Sequence, residues 1–498
     1  MRWLVTSRLI IRGWYKVLID TLRRIVSHQP NTIALCIDEQ EYSYQTLFQR
    51  ASIVAHWLNH GAIARLGIQV DRSVGNYVAI MACLLTGCAY VPLNLKLPRE
   101  RLDAIEHEAQ LDAVFDDKQF DFTRSVPLNQ IVQYESNRPA YIMFTSGSTG
   151  VPKGVPVTFG QLDVFISMMQ QYHRLASDDR VAQHADLSFD MSVYDVFMTW
   201  NSGASLYVVP ERLRLAPAKF IQDKKITVWF SVPSIIGLMR QLNVLPSSSL
   251  PSLRLSLFSG EPLLMGDALA WQQAAVNSIV QNLYGPTEAT VECMAYSLSV
   301  QSDIDIDIGL DEQTIMPIGH ALPGNMIALM DEDGQWVVDD KPGEIMIAGS
   351  QVVTGYWHQP ELTADKFVQQ FHPEYGDQRW YRTGDQAYRH TETGYHYLGR
   401  LDNQVKIQGH RVELEEIEYY LRQATHCSEV AAVIVSGDHG DHLLGVVEKD
   451  EINQQAIRAK LLKLLPFYMV PEKIVVVEQL PRNMNGKLDR RTLKQGLS

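Results

Sequence analysis

YIMFTSGSTGVPKGV, from Tyr141 to Val155, runs from an apolar stretch straight into a turn of glycine, hydroxyl residues and one lysine. Tyr141 to Phe144 read as a buried strand, after which Gly147 and Gly150 let the backbone bend and aim several N–H groups at an anion. Thr145, Ser146, Ser148 and Thr149 add hydroxyl donors and Lys153 a compact positive charge, so the loop reads as a phosphate holder. It is not a Walker A sequence, because Pro152 stands where the glycine before the lysine should be and Gly154 where Ser or Thr should follow. A flexible Ser/Gly surface loop is the competing reading of the segment taken alone.

Two later segments decide between them. NLYGPTEATVE (Asn282 to Glu292) and WYRTGD (Trp380 to Asp385) follow the loop in order and at the spacing of a known family. From about Ile25 to about Leu493 the chain resembles the amino-acid adenylation domains of nonribosomal peptide synthesis, within the superfamily that includes acyl-CoA synthetases and luciferases. The resemblance implies an α/β fold: a large N-terminal adenylate-forming domain of layered sheets and helices, residues 1–401, and a small mobile α+β domain, residues 402–498. Asp402 matches the family's hinge.

Local patterns agree with that layout. Apolar strand-like runs alternate with helical patterns, as in Ala79 to Leu85 followed by Ala89 to Leu93, and Thr227 to Val232 followed by the helix-like Ser234 to Leu242. Near Gly399 to Glu418 the pattern changes. Val405 and Ile407 alternate as in a strand, Gly409 makes a turn, and Leu414, Ile417 and Leu421 fall on one helical face.

With 46% hydrophobic and 20% charged residues the composition is that of a globular enzyme, and a net charge of −13 argues against a nucleic-acid binder. The five cysteines, Cys36, Cys83, Cys88, Cys293 and Cys427, are unpaired by spacing and read as reduced core residues of a cytoplasmic protein. Residues 1–16 carry Arg2, Arg8, Arg12 and Lys16. The arginines interrupt any signal-peptide core, so this stretch reads as an extension before a first helix beginning near Val17. A helix lying on a membrane surface is the alternative.

The resemblance also implies roles. ATP and Mg²⁺ are the expected cofactors. Thr145, Ser146, Gly147, Ser148, Thr149, Gly150 and Lys153 would close over the β- and γ-phosphates, with Lys153 in a supporting part. In Asn282-Leu283-Tyr284-Gly285, Tyr284 would stack on adenine and Asn282 read its amino edge. Thr287 would touch the α-phosphate and Glu288 hold the metal. Asp385 would accept the ribose hydroxyls, with Arg400 near ribose or phosphate. Lys487, in LPRNMNGKLDRR, matches the adenylation lysine, and Gly409 the small residue that admits a phosphopantetheine arm; Glu415 and Glu416 read as solvated. No carrier segment is read after Lys487, so the expected carrier is a separate protein.

Leu187 to Trp200 matches the family's substrate-pocket motif, with Asp190 placed to pair with an α-ammonium, which favours an amino acid over an aryl or fatty acid. Met191, Tyr194, Phe230, Leu257, Ser259, Leu283, Val291 and Glu292 would form the wall. Tyr194 and Phe230 narrow it to a small or medium substrate. Glu292 would accept from a hydroxyl or amine, or pair with Tyr194 and leave room for a ring such as proline. A D-alanine:carrier-protein ligase, an acyl-CoA or aryl-acid synthetase, and a non-catalytic nucleotide- or carrier-binding protein are the remaining alternatives. Chirality is not readable.

Overall fold

The structure, a computed structural model, describes residues 17–123, 135–147, 152–298, 311–337, 340–407, 409–437, 440–449, 451–482 and 488–497. It divides into two compact units: one of Met1–Leu93, Ala109–Met143 and Val155–Leu401, the other of Asn94–Glu108, Phe144–Gly154 and Asp402–Ser498.

Among the described residues, the first unit is built on three sheets. The largest has nine strands, in the order His320–Ala321, Met294–Ser297, Ile279–Tyr284, Leu255–Phe258, Val228–Ser231, Arg180–Gln183, Ser205–Val208, Ile33–Ile37 and Gln40–Ser43. Its central strands run parallel and are covered on both faces, as parallel sheets require. Strand alternation sorts the residues: Val228, Phe230, Leu255, Leu257 and Leu283 join the main apolar cluster, while Trp229, Phe258 and Val280 join a second cluster on the opposite face. The strand-like reading of Ala79 to Leu85 is corrected: the run lies inside the helix Val74–Thr86, buried nearly all round, which explains its lack of amphipathic period, and it is Ala89 to Leu93 that lies in a strand. A five-stranded sheet contains Ala89–Asn94, Pro139–Thr145 and Lys153–Thr158; a second, antiparallel one contains Gly376–His390 and Gly394–Arg400.

In the second unit, strands Gln404–Ile407 and His410–Glu413 pair around Gly409, whose φ of 79° is the left-handed region that glycine enters without a steric cost. Leu414, Ile417 and Leu421 of the helix Leu414–Thr425 pack on Val430, Ala432 and Val447 of a three-stranded sheet. No helix among the described residues is long and apolar enough to cross a membrane. Cys36, Cys83, Cys88 and Cys293 are buried free thiols; Cys427 is partly exposed.

Three histidines of the first unit, His173, His184 and His396, are pushed by burial from the ordinary 6.5 down to about 4. Their folded-state pKa lies below the unfolded one, so the unfolded chain takes up protons there that the native state refuses. Stability is expected to fall as pH drops from about 6.5 toward 4. All nine tryptophans precede Asp402. The urea midpoint followed by tryptophan fluorescence therefore reports this unit and should be lower at pH 5 than at pH 7.5; an unchanged midpoint would contradict neutral burial.

Candidate active site

Across the parallel strands, Phe230 stands beside Leu257, and Leu257 beside Gln281. These three, with Leu283 two residues on from Gln281, therefore share one face of the sheet. Facing them is a helical stretch that begins at Asp190: a turn Met191–Val193, a π-helical turn Tyr194–Met198, and Thr199–Ser202 ending at Gly203. π-turns widen a helix locally and recur at functional sites. Here the residue that opens the π-turn is Tyr194, whose ring meets Phe230 edge-on with centroids 5.4 Å apart. Asp190 is half-buried, whereas Met191, Tyr194, Phe230, Leu257, Ser259, Leu283, Val291 and Glu292 are all buried, with Tyr194, Phe230 and Leu257 at 0% exposure. The expected wall is thus buried, with Ser259 and the carboxylate of Glu292 among its members and the half-buried carboxylate of Asp190 at its edge.

The Tyr194 hydroxyl lies 2.7 Å from His173 Nδ1. Of the two roles considered for Glu292, a pairing with this phenol is therefore corrected: the hydroxyl is taken by a histidine at the end of the helix Phe159–His173. Local sequence gives no sign of that partner, which is 21 residues away.

After the strand Ile279–Tyr284 the chain makes a tight, strained turn. Thr290 and Val291 have φ values of 57° and 70°, costly for β-branched side chains. Buried Gln351 holds the turn: its Nε2 donates to the carbonyls of Ala289, Thr290 and Glu292, its Oε1 accepts from Asn325, and its carbonyl accepts from Thr290 Oγ1. Within this turn, Glu288 is fully buried and accepts a 2.7 Å bond from the Tyr356 hydroxyl, while its carbonyl accepts from Val353 N–H. Gln351 and Tyr356 escaped the sequence reading, because they act on this turn from 59 to 68 residues away.

Tyr284, Asp385 and Arg400 are joined directly. The Tyr284 hydroxyl donates to Asp385 Oδ2 at 2.6 Å, and Arg400 Nη1 donates to Oδ1 at 2.7 Å. Burial, then the charge of Asp385, push the Tyr284 phenol well up, so it stays a proton donor. Asn282 spends its amide N–H groups on the carbonyls of Met316 and Pro317, which leaves its Oδ1 as the acceptor for a donor such as an adenine amine. Thr287 opens the short 3₁₀ turn Thr287–Ala289.

The remaining expected residues belong to the second unit. Ser146 Oγ donates to the Arg411 carbonyl at 2.6 Å, and Lys153, buried, lies 3.8 Å from Glu413 Oε1. Burial raises the Glu413 carboxyl, with Lys153 opposing the shift. Thr145 ends the strand Pro139–Thr145, Gly147 follows, and Asp402 Oδ1 accepts from Gln404 N–H. Ser148, Thr149, Gly150 and Lys487 lie outside the described residues. Glu416, expected to be solvated, is fully buried and paired with buried Arg101, a partner 315 residues away in sequence.

The model of the family described as AMP-binding enzyme matches residues 22–357. Bacitracin synthase 1 of Bacillus licheniformis is 32% identical over 94% of this chain, which spans only 9% of that protein. An L-proline–[L-prolyl-carrier protein] ligase of Pseudomonas fluorescens is 29% identical over 95% of this chain and 98% of its own length. The crystal structure of the Vibrio cholerae adenylation domain AlmE, in complex with glycyl-adenosine-5′-phosphate, is 32% identical and superposes with a TM-score of 0.86, covering 97% of both chains. Because the family model matches well over half of its length, the chain belongs to the AMP-binding enzymes.

Proposed function

We propose that the chain activates a small amino acid with ATP, forming an aminoacyl-adenylate and pyrophosphate, and passes the aminoacyl group to the phosphopantetheine thiol of a carrier protein. The observation that carries this reading is Asp190: a half-buried carboxylate at the edge of a buried, mostly apolar wall suits an α-ammonium on a substrate with little side chain. The glycyl-adenylate bound by AlmE supports glycine as the first candidate.

In the first step a substrate carboxylate oxygen attacks the α-phosphorus; the new P–O bond forms as the bond to the bridging oxygen breaks, and pyrophosphate leaves with that electron pair. Two anions must approach each other, so the protein's task is alignment and charge compensation. Tyr284 would face the adenine and Asp385, fixed by Tyr284 and Arg400, would accept from the ribose. Asn282 would accept from the adenine amine and Thr287 donate to the α-phosphate. Thr145, Ser146 and Lys153 would serve the outer phosphates, and Lys487 the substrate carboxylate.

A Mg²⁺ ion binds through one or two carboxylates plus phosphate oxygens, and buried Glu288, oriented by Tyr356, fits that donor set. The ion would supply neutralisation of phosphate charge. In the second step the carrier's thiol sulfur attacks the adenylate carbonyl carbon, the C–O bond to AMP breaks, and the thiol proton passes to solvent. Asp402 is assigned as the hinge and Gly409 as the residue that admits the pantetheine arm.

The test is amino-acid-dependent pyrophosphate exchange into ATP across glycine, both alanines, serine, proline, ornithine, leucine and a few aryl and fatty acids. Glycine is expected to give the strongest response. A response only to acids lacking an amine would overturn the assignment of Asp190.

A further inference from the structure

We infer that His173 and Gln281 are positioning residues that pin the Tyr194 ring across the room a substrate side chain would occupy, and so restrict the site to glycine and its smallest neighbours. The inference rests on the proposed amino-acid activation. It adds two residues that lie outside the expected pocket wall.

The relay has one consistent direction. Gln281 Nε2 donates to Ser297 Oγ at 2.8 Å, so the amide oxygen of Gln281 is the atom that faces His173 Nε2, also at 2.8 Å. His173 Nε2 must then carry the proton, which leaves Nδ1 bare to accept the Tyr194 hydroxyl at 2.7 Å. Burial holds the imidazole neutral, at about 4, so this arrangement persists through the physiological range. Arg254 is the cation that acts on His173, and its guanidinium is bound to Asp179.

Four different elements supply the members: a π-turn, a helix end and two paired strands, in which Gln281 stands directly opposite Ser297. The phenol is also enclosed by aromatic edges, with Phe230, His173 and Phe165 centroids at 5.4, 5.6 and 6.5 Å. Swinging the ring aside to admit a larger side chain would strand a buried hydroxyl and a buried imidazole nitrogen, so the plug resists displacement. A flexible aromatic wall would yield to the substrate; this one is tied at its far end.

The experiment compares wild type with Gln281→Met and His173→Leu in pyrophosphate exchange, reading kcat and KM separately for glycine, alanine, serine and leucine. Freed from its anchor, Tyr194 should let larger substrates in, so the glycine-to-serine and glycine-to-leucine ratios of kcat/KM should each fall by about tenfold or more, mainly through lower KM for the larger substrate. Gln281→Met keeps the volume and the ring, so it covers the case in which His173→Leu does not fold. If wild type prefers glycine and both ratios are unchanged in the folded variants, the relay is refuted while the reaction stands. If wild type exchanges pyrophosphate with no amino acid, the reaction and this consequence fall together. Preference of wild type for leucine would refute the plug alone.

Discussion

Asp190→Ala should lower kcat/KM for glycine by about ten- to a hundredfold and erase the preference for glycine over acetate. The estimate follows from the contact being removed. A hydrogen bond to a charged group contributes about 1.5–3 kcal/mol, and breaking a well-buried ion pair costs about 3–5 kcal/mol. Asp190 is only half-buried, so the lower range applies, and at about 1.4 kcal/mol per factor of ten this gives about one to two orders of magnitude. Its field reaches the buried phenols of Tyr90 and Tyr141, whose pKa values it helps to raise, which places the charge against apolar surroundings where an ammonium would be felt strongly. Acetate has no ammonium and loses nothing when the carboxylate is removed. Parallel exchange assays with glycine and acetate decide the matter: a variant that keeps its glycine preference would show that the ammonium is recognised elsewhere.

How much of this was legible in the chain depended on the distance over which each contact acts. Local patterns were readable. The strand over Tyr141 to Phe144 was, and so were the strand Val228–Ser231 with the helix Ser234–Gln241 behind it, and the apolar face of Leu414, Ile417 and Leu421. What periodicity could not show were partners brought in from afar. Glu416 sits beside Ile417 on a helix of mixed polarity and reads as a surface carboxylate; its pairing with Arg101 offsets the cost of its burial. Gln281 and His173 sit 108 residues apart, and Gln351 reaches back 59 to 62 positions to hold the turn before Glu292. Gln281 did leave a signal: it lies two residues before Leu283 in a strand and so must share its face. The phenol of Tyr194 was placed in the pocket by its motif, but its choice of His173 over Glu292 is a tertiary fact.

Gly285→Ala should reduce adenylation by about a hundredfold or more, because the turn that follows it cannot move without carrying along Thr287 and Glu288, the residues proposed to serve the α-phosphate and the metal. A Cβ at this position would lie 2.3 Å from the Val291 carbonyl oxygen and 2.5 Å from Glu292 Cα. Both are main-chain atoms, so no side-chain rotation relieves the clash. The backbone it meets is already strained at Thr290 and Val291 and is tied down by the bonds of Gln351. The clash must therefore push on the short segment between, which holds Thr287 and Glu288, or on Tyr284, which orients Asp385. A displacement of about 1 Å at such groups is enough to cost two orders of magnitude in rate. The control is Gly237→Ala, in the helix Ser234–Gln241, where the new methyl meets nothing nearer than an Asp267 oxygen at 3.9 Å. Alanine is the better helix former by about 1 kcal/mol, so that variant should keep its activity and gain stability. Both variants would be assayed by pyrophosphate exchange and by urea unfolding followed by tryptophan fluorescence. Loss of activity in a still-folded Gly285→Ala, beside an active Gly237→Ala, is the expected pair of results. Activity of Gly285→Ala within threefold of wild type would show that the turn yields, and that its strain is not coupled to the chemistry.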